Sequence, residues 1–406
     1  MKKLLITLMI SCFLLGGYTA AYASDDVITL DQAKDLAKNY IRTMKDYDIN
    51  KKTAGIKLDK LKDQYDQAYD DYIDYVFNQY SALSNEYNQL EQKADKTADD
   101  LARMDELQSQ MNSMQDTFQS RYDSVQSMQD QLRDAQQNYD DLVADQANYV
   151  KQLDYQVEEL YTSILCQEQN LGVLQKDYTI KQQMLKNEET RLKLGGSTRA
   201  KVDQLAQDVE NADKSIVSAQ SSLIKSKGQL NDMMGRDYFD GLRLVPFEVE
   251  EGGALPEYND LLSKFTGKYN DLLRSRRDIN QKKSDLLDSY VQDTDYESEL
   301  LDLEIRGAEL QLQDKMVSAD ETINNLLTTT KEKRADYQTA LINYNTAKRD
   351  YDWNLVRLDK GQISMMDLWQ SEKSYLDAKA KLMSAGYARY LAERALGLAE
   401  EGILIT

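Results

Sequence analysis

Carboxylates are the most abundant ionisable side chains in this sequence, 70 Asp and Glu against 50 Lys and Arg. The chain has no histidine among its 406 residues. That removes the commonest general acid or base and the commonest transition-metal ligand. The acidic pairs Asp70-Asp71 and Asp140-Asp141 lack a calcium-liganding loop and read as solvated faces. No carboxylate dyad, phosphate-binding Gly loop or metal-spaced Cys set occurs. The residue types therefore predict no catalytic residue, no metal site and no cofactor. The tyrosines at Tyr65, Tyr69, Tyr72, Tyr75 and Tyr80 stand at helical spacing, which predicts packing between helices.

One local pattern stands out. Residues 191–198 read RLKLGGST and residues 357–364 read RLDKGQIS. Both open with Arg-Leu, reach Gly four residues after the Arg, and place a small hydroxyl residue three further on. Gly supplies a backbone conformation that other residues resist, and Thr198 and Ser364 can cap a following helix. Each phrase thus reads as a join between two helices.

The elements around the phrases repeat as well. At the same offset of 166, the series Val202, Leu205, Val209, Ala212, Ile216, Ala219 keeps register with Leu368, Ser371, Tyr375, Ala378, Leu382, Ala385. The alternating steps of three and four form a heptad seam. Upstream, Val157, Ile164, Leu171, Tyr178, Leu185 and Leu192 fall seven apart. From Ile56 to Leu171 there is neither Gly nor Pro, so nothing interrupts a helix there. A second landmark, Asp48-Ile49-Asn50-Lys51-Lys52, matches Asp278-Ile279-Asn280-Gln281-Lys282 at an offset of 230. The first repeat is therefore longer by 64 residues, about 32 per arm of a hairpin, or roughly 48 Å at ~1.5 Å per residue. The second turn falls at Asp293-Thr294-Asp295, and equal lengthening places the first at Asp95-Lys96-Thr97. The first hairpin would then pair helices of about 28–93 and 97–194. Both prolines lie in the stretch from Arg236 to Pro256, which reads as an extended linker with a short strand at Leu242–Phe247.

The N-terminus, MKKLLITLMISCFLLGGYTAAYASDD, puts two Lys before an apolar run and Ala21-Tyr22-Ala23 after it. This predicts a signal peptide over 1–23 cleaved after Ala23. Cys12 is either a discarded signal residue or a lipoprotein cysteine. The mature chain then keeps Cys166 alone, packed between apolar helical positions and without an internal disulfide. No later apolar run is long enough to span a membrane. The net charge of −20 argues against nucleic acid as a partner. The expected organisation is a first helical repeat over 24–235, a linker over 236–257 and a second repeat over 258–406. The fold class is all-α, built from long antiparallel coiled-coil hairpins.

This pattern resembles the TolC-like outer-membrane efflux proteins across about 28–402. Ile28-Thr29-Leu30-Asp31-Gln32-Ala33 resembles the opening of that family, Gly361 to Leu368 resembles its second tip motif, and Gly195 to Val202 its first, more loosely. The resemblance implies a protomer of a three-chain α-helical barrel, with both Gly motifs at hairpin tips that meet a periplasmic adaptor and an inner-membrane transporter. It carries the docking role to Arg191, Leu192, Gly195, Thr198, Arg357, Leu358, Gly361 and Ser364. It makes Asp367 an aperture-lining carboxylate, one of a three-fold ring that would raise each member's pKa and attract cations. Two departures are visible. The first-repeat counterpart of Asp367 is Lys201. The barrel strands that the family inserts at the far turns have no room at Asp95–Thr97 or Asp293–Asp295.

The function expected is a passive export conduit of the cell envelope: a homotrimer working with an adaptor and a pump, binding no nucleic acid and catalysing nothing. The alternative is an exported coiled-coil spacer without transport activity. A periplasmic adaptor would need β-rich flanks around one hairpin, whereas here the helical pattern reaches both ends.

Overall fold

A computed structural model describes residues 26–250, 252–291 and 295–405. The signal peptide and its cleavage site, Cys12, and Asp293-Thr294 of the second turn lie outside the described residues. The elements in order are β1 (Asp26–Ile28), α1 (Leu30–Tyr40), α2 (Arg42–Asp74), a π-helical turn (Tyr75–Tyr80), α3 (Ser81–Glu91), α4 (Ala98–Lys193) and α5 (Arg199–Met233), followed by β2 (Leu242–Leu244), α6 (Tyr258–Lys268), α7 (Asn270–Val291), α8 (Asp295–Asp359) and α9 (Met365–Glu400). The two strands are parallel and pair Asp26 with Leu242, Val27 with Arg243 and Ile28 with Leu244. Among the described residues no helix is long and apolar enough to cross a membrane.

The chain divides into two compact units that do not coincide with the repeats. One spans Ile41–Lys151; the other joins the segment ending at Tyr40 to Gln152 and beyond.

The 41–151 unit is an antiparallel pair. α2, the π turn and α3 run one way, and the first half of α4 returns. Ring contacts step outward from the turn in order: Tyr72 with Phe118 at 5.6 Å and Tyr47 with Tyr149 at 5.4 Å. Ala54, Tyr75, Leu107, Met111 and Val125 are buried in the seam. The tyrosine series divides here: Tyr72 and Tyr75 face the seam, while Tyr69 and Tyr80 stay exposed. The connection between Glu91 and Ala98 closes with a reciprocal cap. The Thr97 N–H donates to Asp100 Oδ2 at 3.0 Å and the Asp100 N–H donates to Thr97 Oγ1 at 3.2 Å. Lys93 Nζ adds a 2.6 Å ion pair to the same carboxylate.

In the other unit α4 and α5 form one hairpin and α8 and α9 another. Within the first, Gln167 bonds Ser226 at 3.0 Å and Lys227 pairs with Glu168 at 2.6 Å. Within the second, Arg334 pairs with Glu393 at 2.7 Å. The hairpins meet through Lys176 to Glu372 at 2.6 Å and Lys373 to Asp177 at 2.7 Å. The lateral order is therefore α5, α4, α9, α8. α7 returns along α8, with Lys282 to Glu304 and Lys283 to Glu309 both at 2.7 Å. Leu261, Phe265, Leu272, Ile323, Leu327 and Leu396 form an apolar core joining α6, α7, α8 and α9.

The linker strand is shorter than Leu242–Phe247, because Pro246 has no N–H to extend the ladder. The Tyr161 hydroxyl takes over there. It accepts the Val245 N–H at 2.9 Å and lies 2.9 Å from the Ile28 carbonyl and 2.8 Å from the Val245 carbonyl. Glu158, 1% exposed, is anchored by Lys34 at 2.6 Å and by Arg394 at 3.5 Å, which ties α1 and α9 to α4.

Candidate functional site

The two tips are built by the same backbone hydrogen bonds. In the first, the Gly195 N–H donates to the Leu192 carbonyl at 3.0 Å and the Gly196 N–H to the Arg191 carbonyl at 2.8 Å. In the second, the Gly361 N–H donates to Leu358 at 2.9 Å and the Gln362 N–H to Arg357 at 2.9 Å. This pair of bonds satisfies carbonyls that a helix C-terminus otherwise leaves open, and it needs a left-handed residue at the first of the two donors. Gly195 and Gly361 fill that position with φ of 76° and 67°.

Each tip then starts a new helix. Thr198 adopts an extended conformation and its side chain accepts from the Lys201 N–H at 3.3 Å. Ser364 does the same for the Asp367 N–H at 3.1 Å, and the Asp367 carboxylate returns a bond from the Ser364 N–H at 2.9 Å. The second tip thus has a full capping box and the first only half of one. Lys201, with no acceptor to offer, explains the difference. The Ser364 hydroxyl and backbone, with Arg357 nearby, hold Asp367 below the ordinary carboxylate range. Within one protomer this carboxylate is exposed, ionised and occupied as a helix cap.

The remaining docking candidates differ in exposure. Leu192 and Leu358 are half-buried and pack into their hairpins. Arg191 is exposed, bonded to Glu188 at 3.1 Å and to the Gly196 carbonyl at 3.4 Å. Arg357 is half-buried, bonded to Asn354 at 3.3 Å. Glu188 and Asn354 are matched at the offset of 166, each three residues before its Arg. That spacing was a readable signal for both. Two further residues gave no signal: Ser197, which bonds Glu188 across the first turn, and Leu194, which is 81% exposed at its apex.

The ion pairs between hairpins place the tips at different heights. Lys176 lies nineteen residues before Gly195, and Glu372 lies eleven after Gly361. Asp177 and Lys373 lie eighteen before and twelve after, so the six to eight extra residues carry the first tip about 9–12 Å further along the helix direction at ~1.5 Å per residue.

No family model and no curated protein matches the sequence. Solved structures match its fold. The Campylobacter jejuni CmeC outer membrane channel matches with a TM-score of 0.52 at 14% identity, over 68% of this chain and 68% of that one. A membrane protein from Pseudomonas aeruginosa gives 0.52 at 11% identity, over 68% and 72%. CusC, in structures concerned with folding and transmembrane channel formation, gives 0.51 at 13% identity over 97% of this chain and 96% of that one. The chain shares the helical TolC-like α-barrel fold of these structures, and at such identities the likeness is one of fold.

Proposed function

We propose that this chain is the protomer of a passive export conduit. Three copies would close a helical tube that receives cargo from an inner-membrane transporter through a periplasmic-adaptor-type protein. The observation that carries the proposal is the pair of equivalent Gly-led turns, one within each repeat of a fold shared with outer membrane channels. Arg191, Leu192, Gly195, Thr198, Arg357, Leu358, Gly361 and Ser364 would form the docking tips. Asp367 would line the aperture, thinned by Lys201 at the matched position.

Open edges support assembly. α5 and α8 are the outer members of the four-helix row. α5 exposes Val217 and Ile224, seven residues apart, and α8 exposes Ile342, Trp353 and Val356 near one face. Placing the α8 edge of one copy on the α5 edge of the next repeats the same contact until the ring closes. The connection between Glu91 and Ala98 holds no strand, so that turn would contribute none to a membrane barrel.

Mass and shape test the proposal together. Light scattering and negative-stain imaging of the mature chain should give a trimer with a hollow three-fold projection. A monomeric or dimeric rod would overturn it and favour the envelope spacer.

A further inference from the structure

The two tips share a backbone and differ in charge. At the offset of 166, Lys193 faces Asp359 in the alignment and Lys201 faces Asp367, so two matched positions reverse sign. Over 186–203 five cations (Lys186, Arg191, Lys193, Arg199, Lys201) oppose Glu188, Glu189 and Asp203, a net +2. The matched stretch 352–369 sets Arg357 and Lys360 against Asp352, Asp359 and Asp367, a net −1. A local positive surface in a chain of net charge −20 is a departure from its own background.

In sequence these cations flank one apolar side chain, with Arg191 paired to Glu188 at 3.1 Å and Arg199 to Asp203 at 3.0 Å. Leu194 is 81% exposed where the second tip carries Lys360. Its position is fixed: the turn beneath it is closed by both Gly bonds, by Ser197 on Glu188 and by Arg191 on Glu188 and the Gly196 carbonyl. This tip also leads the second by about 9–12 Å, at the ~1.5 Å helical rise.

Resting on the docking reading above, we infer that the first tip makes the leading, charge-selective contact, seating Leu194 in an apolar pocket of a partner protein whose rim carries carboxylates. A fixed apolar side chain flanked by cations suits a partner surface of opposite charge, which steers encounter and fixes register. An anionic membrane surface is the weaker fit. One leucine inserts only about 1.5–3 kcal/mol of apolar side chain, and stable anchoring takes a second membrane signal.

The test uses the full chain in the cells that produce it, with a photo-crosslinking benzoylphenylalanine replacing Leu194 in one strain and Lys360 in another. Each adduct is mapped by mass spectrometry. Leu194 should couple to a protein segment with several carboxylates beside an apolar contact. The yield should fall at least tenfold in Lys193→Asp/Lys201→Asp, which copies the residues the second tip already carries. Coupling from position 360 alone, a lipid adduct, a partner segment without carboxylates, or a yield indifferent to the reversal would each overturn the inference and leave tip docking standing. No adduct from either tip, with helicity unchanged, would sink the docking reading itself.

Discussion

At the scale of single residues, the tips are held by backbone requirements that few side chains meet. A Cβ at Gly195 or Gly361 would touch nothing within 4 Å, so the cost of replacing either is conformational alone. Gly195→Ala and Gly361→Ala should each destabilise their turn by about 1–2 kcal/mol, seen as faster hydrogen exchange in that turn and not in distant helix. The caps predict an asymmetry. Ser364→Ala removes a reciprocal box and should cost about 1 kcal/mol, more than Thr198→Ala, which removes half of one. Asp367 adds a pH dependence. Its folded pKa is lowered, so its contribution is complete above the unfolded carboxylate value and fades as pH falls through the lowered one. Exchange in residues 364–368 should therefore accelerate in acid, and Asp367→Asn should flatten that dependence.

At the scale of elements, the π turn interrupts an otherwise regular arm. Seam positions Leu61, Ala68 and Tyr75 fall seven apart, whereas the next, Leu83, comes eight after Tyr75. The extra residue widens one turn; just before it, the Asp71 carbonyl accepts from the Tyr75 N–H and also from Arg121 Nη1 at 3.1 Å. The same guanidinium lies 4.6 Å from the Tyr75 ring centroid. Arg121→Ala should loosen this turn by about 1 kcal/mol, about fivefold faster exchange over 75–81 without loss of total helicity. Local chemistry decided what the sequence could reveal. Gly195, Gly361, Thr198 and Ser364 act on neighbours within five residues, and their turns are legible from the chain alone. The β1–β2 pair joins three-residue segments more than two hundred positions apart, and Tyr161 completes it from a third place; no local pattern encodes that. Matched motifs can also diverge in setting. Ile49 is 62% exposed while Ile279, at the same place in its repeat, is 5% exposed, because burial depends on which helix lies opposite.

At the scale of the whole molecule, the heptad seams announced an all-α chain of long antiparallel hairpins, and the chain has that fold. What covers the outer edges was not legible, since exposed Trp353 and Ile224 look like ordinary seam candidates until α5 and α8 are seen to end the row. Trp353→Asp together with Ile224→Asp should leave monomer helicity intact and abolish the proposed trimer in sedimentation. Retention of the trimer would place the contact elsewhere.

The pairing of residues 26–28 with residues 242–244 sets an order on folding. β1 emerges early in synthesis or export, yet its partner follows more than two hundred residues later. In the 41–151 pair the contacts nearest the turn are local and form fast, while those at its base, such as Tyr47 with Tyr149, and the distant strand pairing wait on loop closure. Tyr161 is also in place before Val245 exists for it to hold. A nascent chain stopped short of residue 240 would carry helices but no clasp, and its leading segment would remain a handle for proteases. The first of the two paired strands is thus among the last parts to be secured.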